Sequence, residues 1–182
     1  MAPKLYELKN IDGEIITTEA GLSKRSAIRC AIDNDVSLAG IDLRNMDLSG
    51  QDFEGGDFRN ADFRGATLAN LDLGGCQIKG AKFDLEGVPK IPDIHKRVYE
   101  AASQPGALDM SEWHTCSTTH CRAGWVTHLA PGGTDLEIEL GTDAAAALIY
   151  LASDPDLERI PSWYETNEKA LQDMKRLAEN EH

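Results

Sequence analysis

Reactive side chains cluster in one stretch of this 182-residue chain, Trp113-His114-Thr115-Cys116-Ser117-Thr118-Thr119-His120-Cys121-Arg122-Ala123-Gly124-Trp125. The two histidines and two cysteines, His114, Cys116, His120 and Cys121, invite a zinc reading, because imidazole and thiolate are the ligands of structural zinc. The spacing argues against it. Adjacent His120 and Cys121 would diverge by about 100° on a helix, and no second ligand pair of the zinc-finger kind occurs elsewhere. No metal or other cofactor is expected.

The same residues could serve nucleophilic catalysis. Cys121 falls in the first turn of an expected helix, where the macrodipole lowers a thiol pKa, and His114 or His120 could act as its base. A packing reading competes and is preferred. Cys121, Trp125 and His128 lie at i, i+4 and i+7, the spacing of a buried helical stripe, and free cysteines are among the most buried residues. Thr118 and Thr119 would cap the start of that helix, a place where a small anion could bind. A small Cys/His enzyme or zinc protein centred on residues 114–121 therefore stands as the alternative to a chain without catalysis.

The elements that would position these groups begin with a repeat. Fives read from Val36 run VSLAG, IDLRN, MDLSG, QDFEG, GDFRN, ADFRG, ATLAN, LDLGG, CQIKG and AKFDL. The third place is Leu38, Leu43, Leu48, Phe53, Phe58, Phe63, Leu68, Leu73, Ile78 and Phe83, and it is never polar. The second place is usually Asp, and the fifth nearly always Gly or Asn. A period of five fits neither a helix nor a flat strand. Apolar residues at places one and three share a strand face, and Gly or Asn at place five tolerates the positive φ of a corner. Each pentad is then one short side of a coil.

On these residues, 36–85 resembles the pentapeptide-repeat family, with its Ala-(Asp/Asn)-Leu-x-x consensus. The resemblance implies a right-handed quadrilateral β-helix of four pentads per turn, with stacked residues twenty apart: Leu43, Phe63 and Phe83 in one column, Leu38, Phe58 and Ile78 in another. At place one the first coil carries Val36, Ile41, Met46 and Gln51 where the family has Ala, which suggests a filled, covered end. Residues 1–35 supply the cover. Leu5 to Thr18 alternates around Asp12-Gly13, a hairpin signal, and Ser23 to Asp33 reads as an amphipathic helix with Ser23 as N-cap and Ala27, Ile28 and Ile32 on one face.

Residues 86–92 read as a linker, and residues 93–182 as an acidic α-helical domain. Helices are predicted over Asp93–Ser103, Thr119–Ala130, Asp143–Ser153 and Asn167–Glu179, with Thr134–Leu140 ambiguous between strand and helix. The pattern Cys-x-Thr-x-x-Cys-x-Ala-Gly-Trp, here Cys116 to Trp125, resembles a motif of uncharacterised bacterial and phage proteins, a similarity that extends loosely over Ile91–Ala178 and implies no activity. The predicted fold class is thus a β-solenoid plus α.

Charge bounds the partners. The net charge is -13, which argues against direct binding to nucleic acid or anionic membrane and leaves basic partners open. Residues 103–182 hold fourteen acids against five bases, whereas 36–85 hold eight against five. Among the best-known relatives of the repeat are proteins whose acidic rod resembles B-DNA and occupies DNA gyrase. Two and a half coils at a strand spacing of about 4.8 Å make a rod of about 12 Å, beside which B-DNA presents about seven phosphates. A nearly balanced coil is a poor mimic alone.

The expected function is a non-catalytic protein-interaction scaffold, with inhibition of a DNA-handling enzyme by acidic DNA mimicry as a special case. Its candidate contact residues are Asp52, Glu54 and Asp72 on the clearly acidic side of the coil, and Asp135, Glu137 and Glu139 in the helical domain. With cysteines far apart except for Cys116 and Cys121, no apolar run of about 18 residues and no signal-like N-terminus, the chain reads as cytoplasmic, and a monomer or homodimer is expected.

Overall fold

The computed structural model describes residues 3–111, 114–116 and 118–181, the side chains of 114–116 excepted. The chain divides into two compact units, Met1–Asp84 with Asp156–Pro161, and Leu85–Pro155 with Ser162–His182.

The first unit opens with a hairpin of β1 (Lys4–Lys9) and β2 (Ile15–Gly21), paired antiparallel. Its turn is held by the Asn10 side-chain oxygen, which accepts the N–H groups of Asp12 at 3.1 Å and Glu14 at 2.9 Å. Helix α1 (Lys24–Asp33) comes next, started by a capping box. The Ser23 hydroxyl oxygen accepts the Ser26 N–H, and the Ser26 hydroxyl oxygen accepts the Ser23 N–H. Its apolar face buries Ala27, Ile28 and Ala31, while Ile32 is half-buried.

Residues 36–84 then form a β-helix-like coil. Parallel bridges join Asp42 to Asp62, Asp47 to Thr67, Asp52 to Asp72, Asp57 to Gln77 and Asp62 to Lys82, so the chain returns over itself every twenty residues. Backbone hydrogen bonds carry the stacking, such as Leu38 N–H to Asp57 O at 3.0 Å and Asp62 N–H to Ile41 O at 3.0 Å. Within each pentad the third-place carbonyl accepts the N–H three residues on, as from Ile41 to Leu38 and from Gly56 to Phe53. The fifth place sits third in that turn and takes positive φ, 57° at Asn45 and 73° at Gly65, as a type II turn requires. Second-place Asp has a local purpose too. Asp42, Asp47, Asp52, Asp57, Asp62 and Asp72 each accept the N–H of the residue two on.

The third-place side chains fill the coil. Phe53, Phe58 and Phe63 are buried in sequence with ring centroids 5.4 and 5.5 Å apart. Phe63 stacks on Phe83, one turn further, at 4.5 Å and 10°. Leu68 and Phe83 are only half-buried.

Antiparallel pairing covers both ends. Asn10 bridges Ile41, and the Asp42 N–H donates to Lys9 O at 2.9 Å. At the last coil, part of the segment expected to be helical domain pairs with the repeats instead. Ile78 N–H donates to Glu158 O, Ile160 N–H to Cys76 O and Gly75 N–H to Pro161 O, at 2.9, 3.0 and 3.2 Å. Leu157 and Ile160 are buried there, and Lys79 pairs with Glu158. A strand laid on an open edge satisfies its amides and blocks association through it.

The second unit contains α2 (Ile94–Ala102), α3 (Arg122–Leu129), α4 (Gly133–Leu140), α5 (Thr142–Ser153) and α6 (Asn167–Asn180). Helix α2 packs on α6, and α3 on α5. The start of α2 has no side-chain cap from Asp93. Instead the Glu181 carboxylate accepts the N–H groups of His95 and Lys96 at 3.1 and 2.9 Å. The ambiguous Thr134–Leu140 lies in α4. The helix predicted from Thr119 begins later, because Thr119–His120 forms strand β4, paired with β3 (His114–Cys116).

Phe58→Ala should destabilise the coil by about 3–5 kcal/mol, measured by chemical denaturation, whereas Leu5→Ala at an exposed position should barely register. Acid should also weaken it. Asp57 and Asp62 are held at about 2, against an ordinary 3.8, chiefly by hydrogen bonds from Arg59 and Arg64. A lowered carboxyl pKa stabilises above the unfolded value and stops doing so as pH falls through the folded one. Replacing both by Asn should flatten the loss of stability between pH 3.8 and 2, read from melting curves across that range.

Candidate functional site

The Cys/His stretch gathers at the start of α3. His114 and Cys116 bear side chains outside the described residues. His120 is 4% exposed, stacked on His128 with centroids 4.8 Å apart and met edge-on by Trp125 at 4.7 Å. Its backbone is fixed by Ala107 and Asp109: the His120 N–H donates to Ala107 O, and the Asp109 N–H to His120 O.

Cys121 is the N-cap of α3 and is buried, its Sγ accepting the Gly124 N–H at 3.3 Å. Two effects oppose each other at this thiol. Helix amides favour the thiolate, but burial outweighs them and pushes the thiol pKa up, with the charges of Asp143 and Glu137 adding to the rise. The lowered pKa expected from the macrodipole is therefore overturned by desolvation. The expected buried stripe is also incomplete, since Cys121 and Trp125 are buried but His128 is exposed.

The anion reading at Thr118 and Thr119 loses its helix. Thr119 lies in β4, and its hydroxyl donates to Gly106 O at 2.8 Å. Among the described residues no three His, Cys, Asp or Glu side chains come together as metal ligands.

Chain folding divides the acidic candidates. Asp52 is exposed, but Arg29 of α1 donates to its carboxylate at 2.9 Å. Asp72 is 7% exposed and accepts the Gly74 N–H at 2.7 Å. Glu54 is half-buried, and burial first, then the charges of Asp72 and Asp52, raises its pKa. Three of the coil's other aspartates are matched within their own pentads. Arg44, Arg59 and Arg64 each fork Nε and Nη2 onto Asp42, Asp57 and Asp62. The acidic side expected at Asp52, Glu54 and Asp72 thus shrinks, because α1 brings a cation to it and one of its three carboxylates is buried.

Helix α4 presents a different surface. Asp135 and Glu139 are exposed, while Glu137 is half-buried and accepts the Thr142 hydroxyl at 2.6 Å. Between the exposed acids stands Ile138, 81% exposed. Residues 135, 138 and 139 share one helical face. Sequence reading missed Ile138 because a strand over the same residues would have put it opposite the acids.

Arg122 was missed as well. It is fully buried on α3, donating through Nε to the Tyr150 hydroxyl at 3.2 Å and through Nη1 to Asp173 at 2.6 Å, while Asp173 also takes Arg176. His95, likewise buried, places Nε2 at 2.9 Å from Asp154. The signal was present in sequence: Arg122 stands in a run, Cys121 to Val126, too apolar to offer it a wet face.

Residues 34–68 and 47–84 match the family described as pentapeptide repeats, in eight copies. A comparison with curated proteins returns no match.

In the folded chain at neutral pH, Cys121 should react with iodoacetamide at least about tenfold more slowly than a free cysteine, as burial rather than activation dictates. Peptide mapping after timed alkylation measures this. Labelling of Cys121 faster than the same residue in denatured chain would reinstate the nucleophile.

Proposed function

We propose that this chain, which carries pentapeptide repeats over residues 34–84, is a non-catalytic protein-interaction scaffold whose contact surface is the acidic helical unit. The coil is read as a right-handed quadrilateral β-helix of four pentads per turn. The observation that carries the proposal is the exposed face of α4, where Ile138 stands between Asp135 and Glu139. An apolar side chain flanked by acids offers a partner a small apolar anchor with a charged rim. The partner is a protein with a basic, partly apolar surface.

A DNA-handling enzyme is one such partner, since its nucleic-acid groove is basic. In that case the mimicry falls to the helical unit, because the coil's aspartates are largely matched by arginines. Direct contact with nucleic acid is disfavoured by a net charge of -13. No helix among the described residues is long and apolar enough to cross a membrane. A cytoplasmic location and a monomeric or homodimeric state belong to the same proposal.

Affinity capture from host lysate, read by mass spectrometry, should return a defined partner with the native chain. Asp135→Lys, Ile138→Ser and Glu139→Lys together should abolish the capture without lowering the melting temperature, and added salt should weaken it. Equal capture by the triple variant would remove α4 as the contact surface. If the partner is a DNA-handling enzyme, its activity on DNA should fall with added native chain and not with the variant.

A further inference from the structure

The large apolar side chains that remain exposed are unevenly placed. Among the described residues they are Leu5, Ile11, Ile15, Leu22, Ile138 and Tyr164, and the first four belong to the hairpin or follow directly on it. Leu5 is 75% exposed, Leu22 62% and Ile15 53%.

Register decides which of these share a face. Residues directly opposite on paired strands project to the same side, and β1 opposes β2 as Leu5 with Ala20, Glu7 with Thr18 and Lys9 with Ile15. All six are exposed. The alternate residues Tyr6, Leu8, Thr17 and Glu19 are buried or half-buried on the other side, and α1 packs against β2. The outer face therefore has Leu5 and Ala20 at one end, Ile15 at the other, and an ion pair of Glu7 with Lys9 at 2.8 Å between them.

Charge selects the occupant. The chain carries -13 overall, yet residues 1–35 hold six acids against five bases, and the outer face balances one acid with one base. A basic protein is drawn to the acids of α4 instead, whereas a second copy of this acidic chain meets least repulsion where the charge is balanced. The face also complements itself. A two-fold axis parallel to the strands lays β1 of one copy over β2 of the other, with the sheets about 10 Å apart. Leu5 then meets the partner's Ala20, Glu7 the partner's Thr18, and the methylenes of Lys9 the partner's Ile15. An axis across the strands would set Glu7 against Glu7, so the first arrangement is the one that opposes no like charges.

We infer that the outer face of the hairpin is the contact between two copies of this chain in a reversible homodimer. It is smaller than a standard interface of about 20–30 residues a side, so association is weak and concentration-dependent. The contact is independent of α4, whose acids stay free for a basic partner.

Sedimentation equilibrium of the full chain, from about 1 μM to about 1 mM, tests this. The apparent mass should rise with concentration from 19.9 kDa toward twice that value. Leu5→Lys with Ile15→Lys lowers the overall charge but sets like charges across the contact. It should weaken dimerisation at least about tenfold, with the melting temperature of the dilute chain unchanged. Ile138→Ser should leave dimerisation as it is. Should the double variant not fold, Thr18→Arg alone, at the exposed centre of the face, should weaken the dimer several-fold. A monomer at every concentration, a dimer that each folded hairpin variant leaves intact, or a dimer lost with Ile138→Ser would overturn the inference.

Discussion

Nine successive sides of the coil end in a residue with positive φ, and on that corner the rest of the first unit depends. From Gly40 to Gly80 the fifth place of each pentad takes this conformation, with Asn at three corners and Gly at six. The turn brings the next side round, so that after four corners the backbone meets itself twenty residues on and can close its ladder. Only then do the third-place side chains converge. The stacked phenylalanines are a consequence of the corners as much as a cause of stability, since a chain without the turns would have no interior for them. The second-place aspartates belong to the same device, each accepting an N–H within its own pentad.

That local use of aspartate changes what the coil's charge means. A count of acids suggests a surface for a partner, yet most of these carboxylates are already occupied by a backbone amide, an arginine two residues on, or Arg29 of the capping helix. The exposed pairs among these, such as Arg29 with Asp52, add little stability. They do remove the regular negative pattern that a phosphate-like rod would need. The unmatched acids of α4 are in a different position, because no cation in the same helix answers Asp135 and Glu139 and an exposed isoleucine sits beside them.

In the helical unit the governing constraint is burial. Helix α3 is enclosed from Arg122 to Thr127, so anything polar within that stretch must be answered from inside. Cys121 is answered poorly as an anion and stays a thiol. Arg122 must stay charged, and it gathers Tyr150 and Asp173 from α5 and α6. The same enclosure that quiets the cysteine makes the arginine conspicuous.

The amino-acid sequence by itself determined the repeat of five, the hairpin and Ser23-capped helix before it, and the helical character of the C-terminal half. Those features arise from contacts within a few residues or from strict periodicity, so a linear reading reaches them. Tertiary structure alone decided that residues 156–161 close the last coil, that Arg29 answers Asp52, and that Tyr150 and Asp173 meet Arg122. Each of these joins residues far apart in the chain, and no local propensity encodes such a meeting. Thr134–Leu140 falls between the two: its residues fit a strand or a helix equally, and packing against α5 selected the helix that sets Ile138 among the acids.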